Sequence, residues 1–176
     1  MKQRIIYLVG ARASGKTTLG EMLARKLGLD FVDTDRHLGD RCGMTVAEIV
    51  EREGWEGFRK RERETLREAA RPGAVVATGG GMVLSEDNRN HMRATGTVVY
   101  LAAPADVLAA RLAASPHAAQ RPSLTGKSVL DEVADILAER SPLYESTAHL
   151  VVDASQSPEA LLESTLRQLL APEQKG

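Results

Sequence analysis

The chain has 176 residues, 43% hydrophobic and 27% charged, with 23 Lys and Arg against 24 Asp and Glu and a formal net charge of -1. That length predicts one domain whose core needs no disulfide or structural metal, and the balanced charge argues against a general binder of nucleic acid. Aromatics at 3% leave few stacking surfaces for single strands; the lone Cys42 excludes an intrachain disulfide; and no apolar run nears the roughly 20 residues that span a bilayer, so the expected place is the cytoplasm, off the membrane.

Short apolar runs alternate with segments of helical period. Arg4–Val9 reads as a strand that Gly10 breaks. Lys16–Leu27 reads as a helix, because Leu19, Met22, Leu23 and Leu27 share one face, and Gly28 stops it. Phe31-Val32 is a second strand ending in acids. Thr45 to Gly54 is helical, with Thr45 as N-cap and Glu48 at the capping-box position, and Trp55 to Ala70 forms another helix before Pro72-Gly73. Ala74–Thr78 is a third strand, Thr97–Leu101 a fourth and Leu150–Val152 a fifth. Helices are predicted over Pro104–Ala114, Lys127–Arg140 and Pro158–Leu170, with a loop over 115–127. Strands that are continuously apolar and alternate with helices predict an α/β fold with a parallel sheet covered on both faces.

Gly10-Ala11-Arg12-Ala13-Ser14-Gly15-Lys16-Thr17 fits G-x-x-x-x-G-K-[ST], between a predicted strand and a predicted helix. Glycines let the backbone turn its N–H groups toward phosphate oxygens, and the following helix adds the positive end of its dipole. Lys16 suits the β- and γ-phosphates and Thr17 a Mg²⁺ ion. This points to a nucleoside triphosphate and leaves the acceptor open.

Asp33 and Asp35 follow the second strand, at the edge where open parallel sheets bind ligands. In an extended segment they would point the same way. One carboxylate suits the water shell of the metal and the other an acceptor hydroxyl. Thr78-Gly79-Gly80-Gly81 after the third strand exposes backbone to a ligand. On the helix after Trp55, Arg59 and Glu62 are three residues apart and can pair, whereas Lys60, Arg61, Arg63 and Glu64 read as a solvated face. Arg140 closes a predicted helix ahead of Pro142. None of the four histidines has metal-ligand spacing.

Together these segments resemble the shikimate kinase family. The matching pieces are Gly10–Thr17, Phe31-Val32-Asp33-Thr34-Asp35, Met44-Thr45-Val46-Ala47-Glu48-Ile49, Trp55 with Phe58-Arg59 and Glu62, Thr78–Gly81, Arg121-Pro122, and Arg140 with Pro142-Leu143-Tyr144. The resemblance implies a P-loop fold of the nucleoside-monophosphate-kinase type over residues 1–176, with a five-stranded parallel sheet and a mobile lid at about 112–127. It implies ATP-dependent phosphorylation of the 3-hydroxyl of shikimate, on the route to chorismate and the aromatic amino acids, by a monomer. Carried over by position, Gly10, Ala13, Ser14, Gly15, Lys16, Thr17 and Thr18 would hold ATP, with Arg111 and Gln156 about the adenine. Thr17 and Asp33 would serve the Mg²⁺. Asp35, Arg59, Gly79, Gly80, Gly81 and Arg140 would bind shikimate, with Asp35 the candidate base. Arg121 would be the lid arginine, catalytic alongside Lys16 and Asp35. The family usually has glycine where this chain has Ala13; were that backbone left-handed, alanine would be strained by about 1–2 kcal/mol.

Two other readings stand beside this one. Another small-molecule P-loop kinase, of the gluconate type, would share an anionic polyol acceptor. A non-catalytic nucleotide-binding regulator would keep the P-loop and have no need of Asp35 or Arg121. A GTPase is disfavoured because no Asn-Lys-x-Asp motif occurs.

Overall fold

In the computed structural model, which describes residues 4–115 and 128–171, Ile5–Val9 forms β1, buried throughout. Its alternate side chains part to the two faces of one sheet. Tyr7 and Val9 join a cluster with Leu66, Met82, Met92 and Tyr144, while Ile6 and Leu8 join one with Leu19, Leu23 and Leu161. Both faces of β1 are therefore dry, which is why its sequence is apolar without alternation.

The other strands are β2 (Asp30–Asp33), β3 (Ala74–Ala77), β4 (Gly96–Ala102) and β5 (Leu150–Asp153). They lie in the order β2-β3-β1-β4-β5, and every neighbouring pair is parallel. After β1 the chain lays down β2 at one edge, fills the gap with β3, and then adds β4 and β5 on the other side of β1. The carboxyl end of β1 is thus the point where the winding reverses, and a crevice opens there.

The helices are α1 (Lys16–Leu27), α2 (Thr34–Cys42), α3 (Val46–Ala69), α4 (Glu86–Thr95), α5 (Ala105–Ala114), α6 (Val129–Thr147) and α7 (Pro158–Leu170). The capping box at α3 is formed: Glu48 N–H donates to Thr45 Oγ1 at 3.2 Å, and Thr45 N–H donates to Glu48 Oε2 at 2.6 Å. Among the described residues no helix is long and apolar enough to cross a membrane.

The structure departs from the sequence reading in four places. The acids after β2 do not continue an extended segment, because Asp33 Oδ1 accepts the N–H groups of Asp35 and Arg36 at 3.0 and 3.2 Å and starts α2 at once. Asp35 therefore stands on the first turn of a helix. The two helices expected around Gly54 are halves of α3, bent where Gly54 adopts φ 68° and ψ 177°. The stretch after the glycines holds a 3-10 turn (Met82–Leu84) and α4, capped by Ser85. Finally, α6 does not end at Arg140. It takes Pro142 into its interior and runs on to Thr147, so Arg140 and Tyr144 share one face.

Candidate active site

The loop from Gly10 to Gly15 joins β1 to α1 at the winding reversal. Gly15, the residue before α1, has φ 94°, and Ala13 is the one described non-glycine residue with positive φ, at 62°. Alanine thus occupies the left-handed conformation that the sequence made a concern, at a cost of about 1–2 kcal/mol. Arg111 of α5 is placed to offset it. Its Nη1 donates to Ala13 O at 3.4 Å and its Nη2 to Ala154 O at 2.8 Å, tying the loop to the chain after β5. Lys16 Nζ donates to Gly10 O at 2.8 Å, to Ala11 O at 2.7 Å and to Ser14 Oγ at 3.4 Å. The lysine therefore braces the curve of the loop as well as standing in the space it encloses.

That space is an outer cleft of about 950 Å³. Ala13, Ser14, Gly15, Lys16, Thr17, Thr18, Asp33, Arg111 and Gln156 all line it. Gly10 does not; its part is to begin the turn and offer its carbonyl to Lys16. Thr17 Oγ1 donates to Asp33 Oδ2 at 2.7 Å, so the hydroxyl and the carboxylate expected to serve a metal touch. Among the described residues no cluster of three or more His, Cys, Asp or Glu could hold a metal ion. Thr17 and Asp33 do fit Mg²⁺, which takes few protein ligands and keeps waters and substrate phosphates.

A smaller inner pocket adjoins the cleft. It is lined by Arg12 of the phosphate loop, by Asp35 of α2, by Val46, Trp55, Phe58, Arg59 and Glu62 of α3, by Gly79, Gly80 and Gly81 after β3, and by Arg140 of α6. Five segments far apart in sequence meet here because the parallel topology brings every strand's carboxyl end to one edge. The Arg59 guanidinium lies 5.6 Å from the centre of the Trp55 ring and 5.3 Å from that of Phe58, and it pairs with Glu62. Glu62 is buried to 3% exposure. Burial raises its carboxyl above the ordinary value, and the charges of Arg59 and then Arg140 pull it back only in part. Arg140 is 8% exposed, and its Nε is buried without a hydrogen-bond partner among the described residues. One buried guanidinium, Arg140, and one half-buried, Arg59, line the same pocket, a pairing whose chemistry suits a carboxylate.

The three glycines are spaced by what surrounds them. A methyl group on Gly81 would overlap the Arg59 guanidinium, and one on Gly79 would stand 2.8 Å from Glu62 Oε1 and 2.9 Å from Asp35 Oδ1. Gly80 is fixed from behind: Tyr144 Oη donates to its carbonyl at 2.6 Å, and the Tyr144 ring stacks on Tyr100 with centroids 5.0 Å apart. Burial pushes the Tyr144 hydroxyl up to about 12, which keeps it a donor. In the sequence Tyr144 stands out only as the end of Pro142-Leu143-Tyr144. Its role could have been suspected from the four-residue spacing from Arg140, had the helix been carried through Pro142.

The charge run after Arg59 divides in two. Lys60 and Glu64 are exposed, as expected, but Arg61 donates twice to Glu53, at 2.7 and 2.6 Å, and once to Cys42 Sγ at 3.2 Å, which ties α3 to the end of α2. Arg121 lies outside the described residues, as does most of the segment 112–127 expected to form a lid.

The family profile that matches this chain is that of shikimate kinase, over residues 12–170. Shikimate kinase 2 of Syntrophotalea carbinolica is 59% identical over 164 residues, covering 93% of this chain and 95% of that protein. Shikimate kinase 2 of Dickeya chrysanthemi is 56% identical over 167 residues, covering 95% and 96%. Among solved structures, the shikimate kinase of Acinetobacter baumannii in complex with shikimate superposes with a TM-score of 0.90 at 35% identity, covering 98% of this chain and 96% of that one.

Proposed function

The chain belongs to the shikimate kinase family, and from that premise we infer that it transfers the γ-phosphoryl group of ATP to the 3-hydroxyl of shikimate, giving shikimate 3-phosphate and ADP. The observation that carries the reading to individual residues is the pairing of an outer cleft floored by the phosphate loop with an inner pocket holding two guanidinium groups.

In this reading the triphosphate lies along the loop, held by backbone N–H groups, by Lys16 and by the positive end of α1. Thr17 and Asp33 hold the Mg²⁺, whose charge offsets that of the phosphates when bound. Arg111 and Gln156 flank the adenine, and Arg121 serves the transfer as a catalytic arginine. The carboxylate of shikimate takes Arg59 and Arg140, which directs its hydroxyls toward Asp35 and the glycine backbone at Gly79, Gly80 and Gly81. Asp35 accepts the proton of the 3-hydroxyl as its oxygen meets the phosphorus. Positioning and charge stabilisation do most of what such a transfer needs. The protein works as a monomer in the cytoplasm, on small molecules, with no nucleic-acid or membrane partner, in the supply of chorismate and aromatic amino acids.

The test is ADP release from MgATP with shikimate, gluconate, AMP or no acceptor. Release with shikimate alone is expected. Release with gluconate would keep the phosphate site and overturn the acceptor. Binding of ATP with no release above background would favour a regulator.

A further inference from the structure

Four residues line both the outer cleft and the inner pocket: Arg12, Asp35, Val46 and Gly80. They mark the boundary that a phosphoryl group must cross. Val46 offers an apolar wall, Gly80 offers backbone, and Asp35 is an acid with a place in the reaction already. Arg12 brings the boundary's only positive side chain among the described residues. Lys16 and Arg111 line the outer cleft alone, and Arg59 and Arg140 the inner pocket alone.

Arg12 belongs to the phosphate loop but occupies a position that the motif leaves open. It is half-buried, and burial works against its charge. The charge that offsets this is the carboxylate of Glu132, itself 8% exposed, on the first turn of α6. A long, flexible cation lodged at a chamber boundary, with one carboxylate opposing its burial cost, is placed to meet a second anion that arrives there. A guanidinium stays charged throughout, so it acts by charge and hydrogen bonds.

We propose that Arg12 is a catalytic residue that stabilises the phosphoryl group in flight between the two chambers. This rests on the phosphoryl transfer given above. The acceptor oxygen forms its bond to the γ-phosphorus, the bond from that phosphorus to the β–γ bridging oxygen breaks, ADP leaves with the electron pair, and the hydroxyl proton passes to Asp35. Arg12 gains and loses no proton. It faces the equatorial oxygens, where charge is spread in the transition state.

The experiment compares wild type, Arg12→Ala, Arg12→Gln and Arg12→Lys in steady-state rates with shikimate and MgATP. Calorimetry then measures the binding of ADP with and without aluminium fluoride in the presence of shikimate. In Arg12→Ala, kcat is expected to fall about 100-fold, the range seen when one preorganised charge-stabilising donor is lost. Both KM values stay within about threefold and ADP binds as before, while the tightening brought by aluminium fluoride disappears. Arg12→Lys, which keeps a point charge, recovers part of kcat. Should Arg12→Ala fail to melt cooperatively, Arg12→Gln carries the same expectation. A cooperatively melting variant without the cation, with kcat within threefold of wild type or with a raised shikimate KM at unchanged kcat, overturns the proposal. Wild type that releases no ADP with shikimate overturns the functional reading itself, and this with it.

Discussion

The outer cleft and the inner pocket are adjacent, yet they are made in opposite ways. The cleft's phosphate end comes from one contiguous stretch, Gly10–Thr17, and its chemistry lies mostly in backbone N–H groups and a helix end. The inner pocket comes from five segments and works through side chains: Arg59, Glu62 and Arg140. A backbone site tolerates a changed side chain if its dihedral angles survive, as at Ala13. A side-chain site depends on neighbours that hold each group in place, as Glu62 holds Arg59 and Tyr144 holds Gly80. Damage to the first should appear in turnover and ATP handling, and damage to the second in acceptor binding.

The sharpest break of this contrast is Lys16→Met. It removes the cation that the proposed function sets against the phosphates, and turnover is expected to fall at least about 10³-fold in steady-state assays. Because Lys16 also braces Gly10 and Ala11 through their carbonyls, ATP affinity should shift too, while the sheet keeps its far-ultraviolet dichroism. Asp35→Asn sits at the boundary. It should cost about 10²-fold in kcat, the usual worth of a general base, with ATP binding nearly unchanged by calorimetry. Near-wild-type turnover in this variant would deny Asp35 its role.

Arg59→Ala tests the side-chain site alone. The acceptor KM should rise about 10- to 100-fold, since a charge-assisted hydrogen bond is worth about 1.5–3 kcal/mol, with the KM for ATP little changed. A protein that simply fails to fold would instead make the pair with Glu62 structural. Glu62 adds a pH signature. Burial raises its carboxyl, so as pH falls through that raised value the side chain takes a proton and stops pairing with Arg59. Above that value the buried charge subtracts stability from the fold, so acid removes the orientation of Arg59 without removing stability through Glu62. The acceptor KM should climb as pH falls, and Glu62→Gln should flatten that climb and start from a higher KM at neutral pH.

The smallest effect concerns the backbone site. Ala13→Gly relieves the left-handed strain and is expected to add up to about 1 kcal/mol of stability in thermal melts, less what glycine loses in the unfolded chain. Turnover should stay within about twofold. If Ala13→Gly also softened the effect of Arg111→Ala on ATP binding, the clamp from Arg111 to Ala13 O would be its cause.

The same contrast explains what could be read from sequence. The phosphate loop was legible because its parts are contiguous and its strand–loop–helix setting is local. The five strands were legible because burial on both faces leaves unbroken apolar runs such as Ile5–Val9. The acids were located, but the geometry expected of them was wrong, since an Asp N-cap turned the chain into α2 one residue after β2. Composition hid α4, because Glu86–Thr95 buries little beyond Asn88 and Met92. Pro142 concealed the last turns of α6 and with them Tyr144. The inner pocket was reached through resemblance, because no local pattern says that Arg59 and Arg140 will meet.

Every functional group described above stands at one end of five parallel strands, and the opposite end carries none of them. The turn at Arg71–Gly73 belongs to that far end, where Gly73 O receives Asp30 N–H at 2.9 Å and Arg71 and Pro72 face outward. β3 alone, four residues at about 3.3 Å each, puts roughly 13 Å between this turn and the glycines. The molecule thus has a handle as well as a working end. A dye, a solid support or an inserted peptide joined at Pro72 should leave turnover intact, so the enzyme can be tethered or reported on from behind while it works in front.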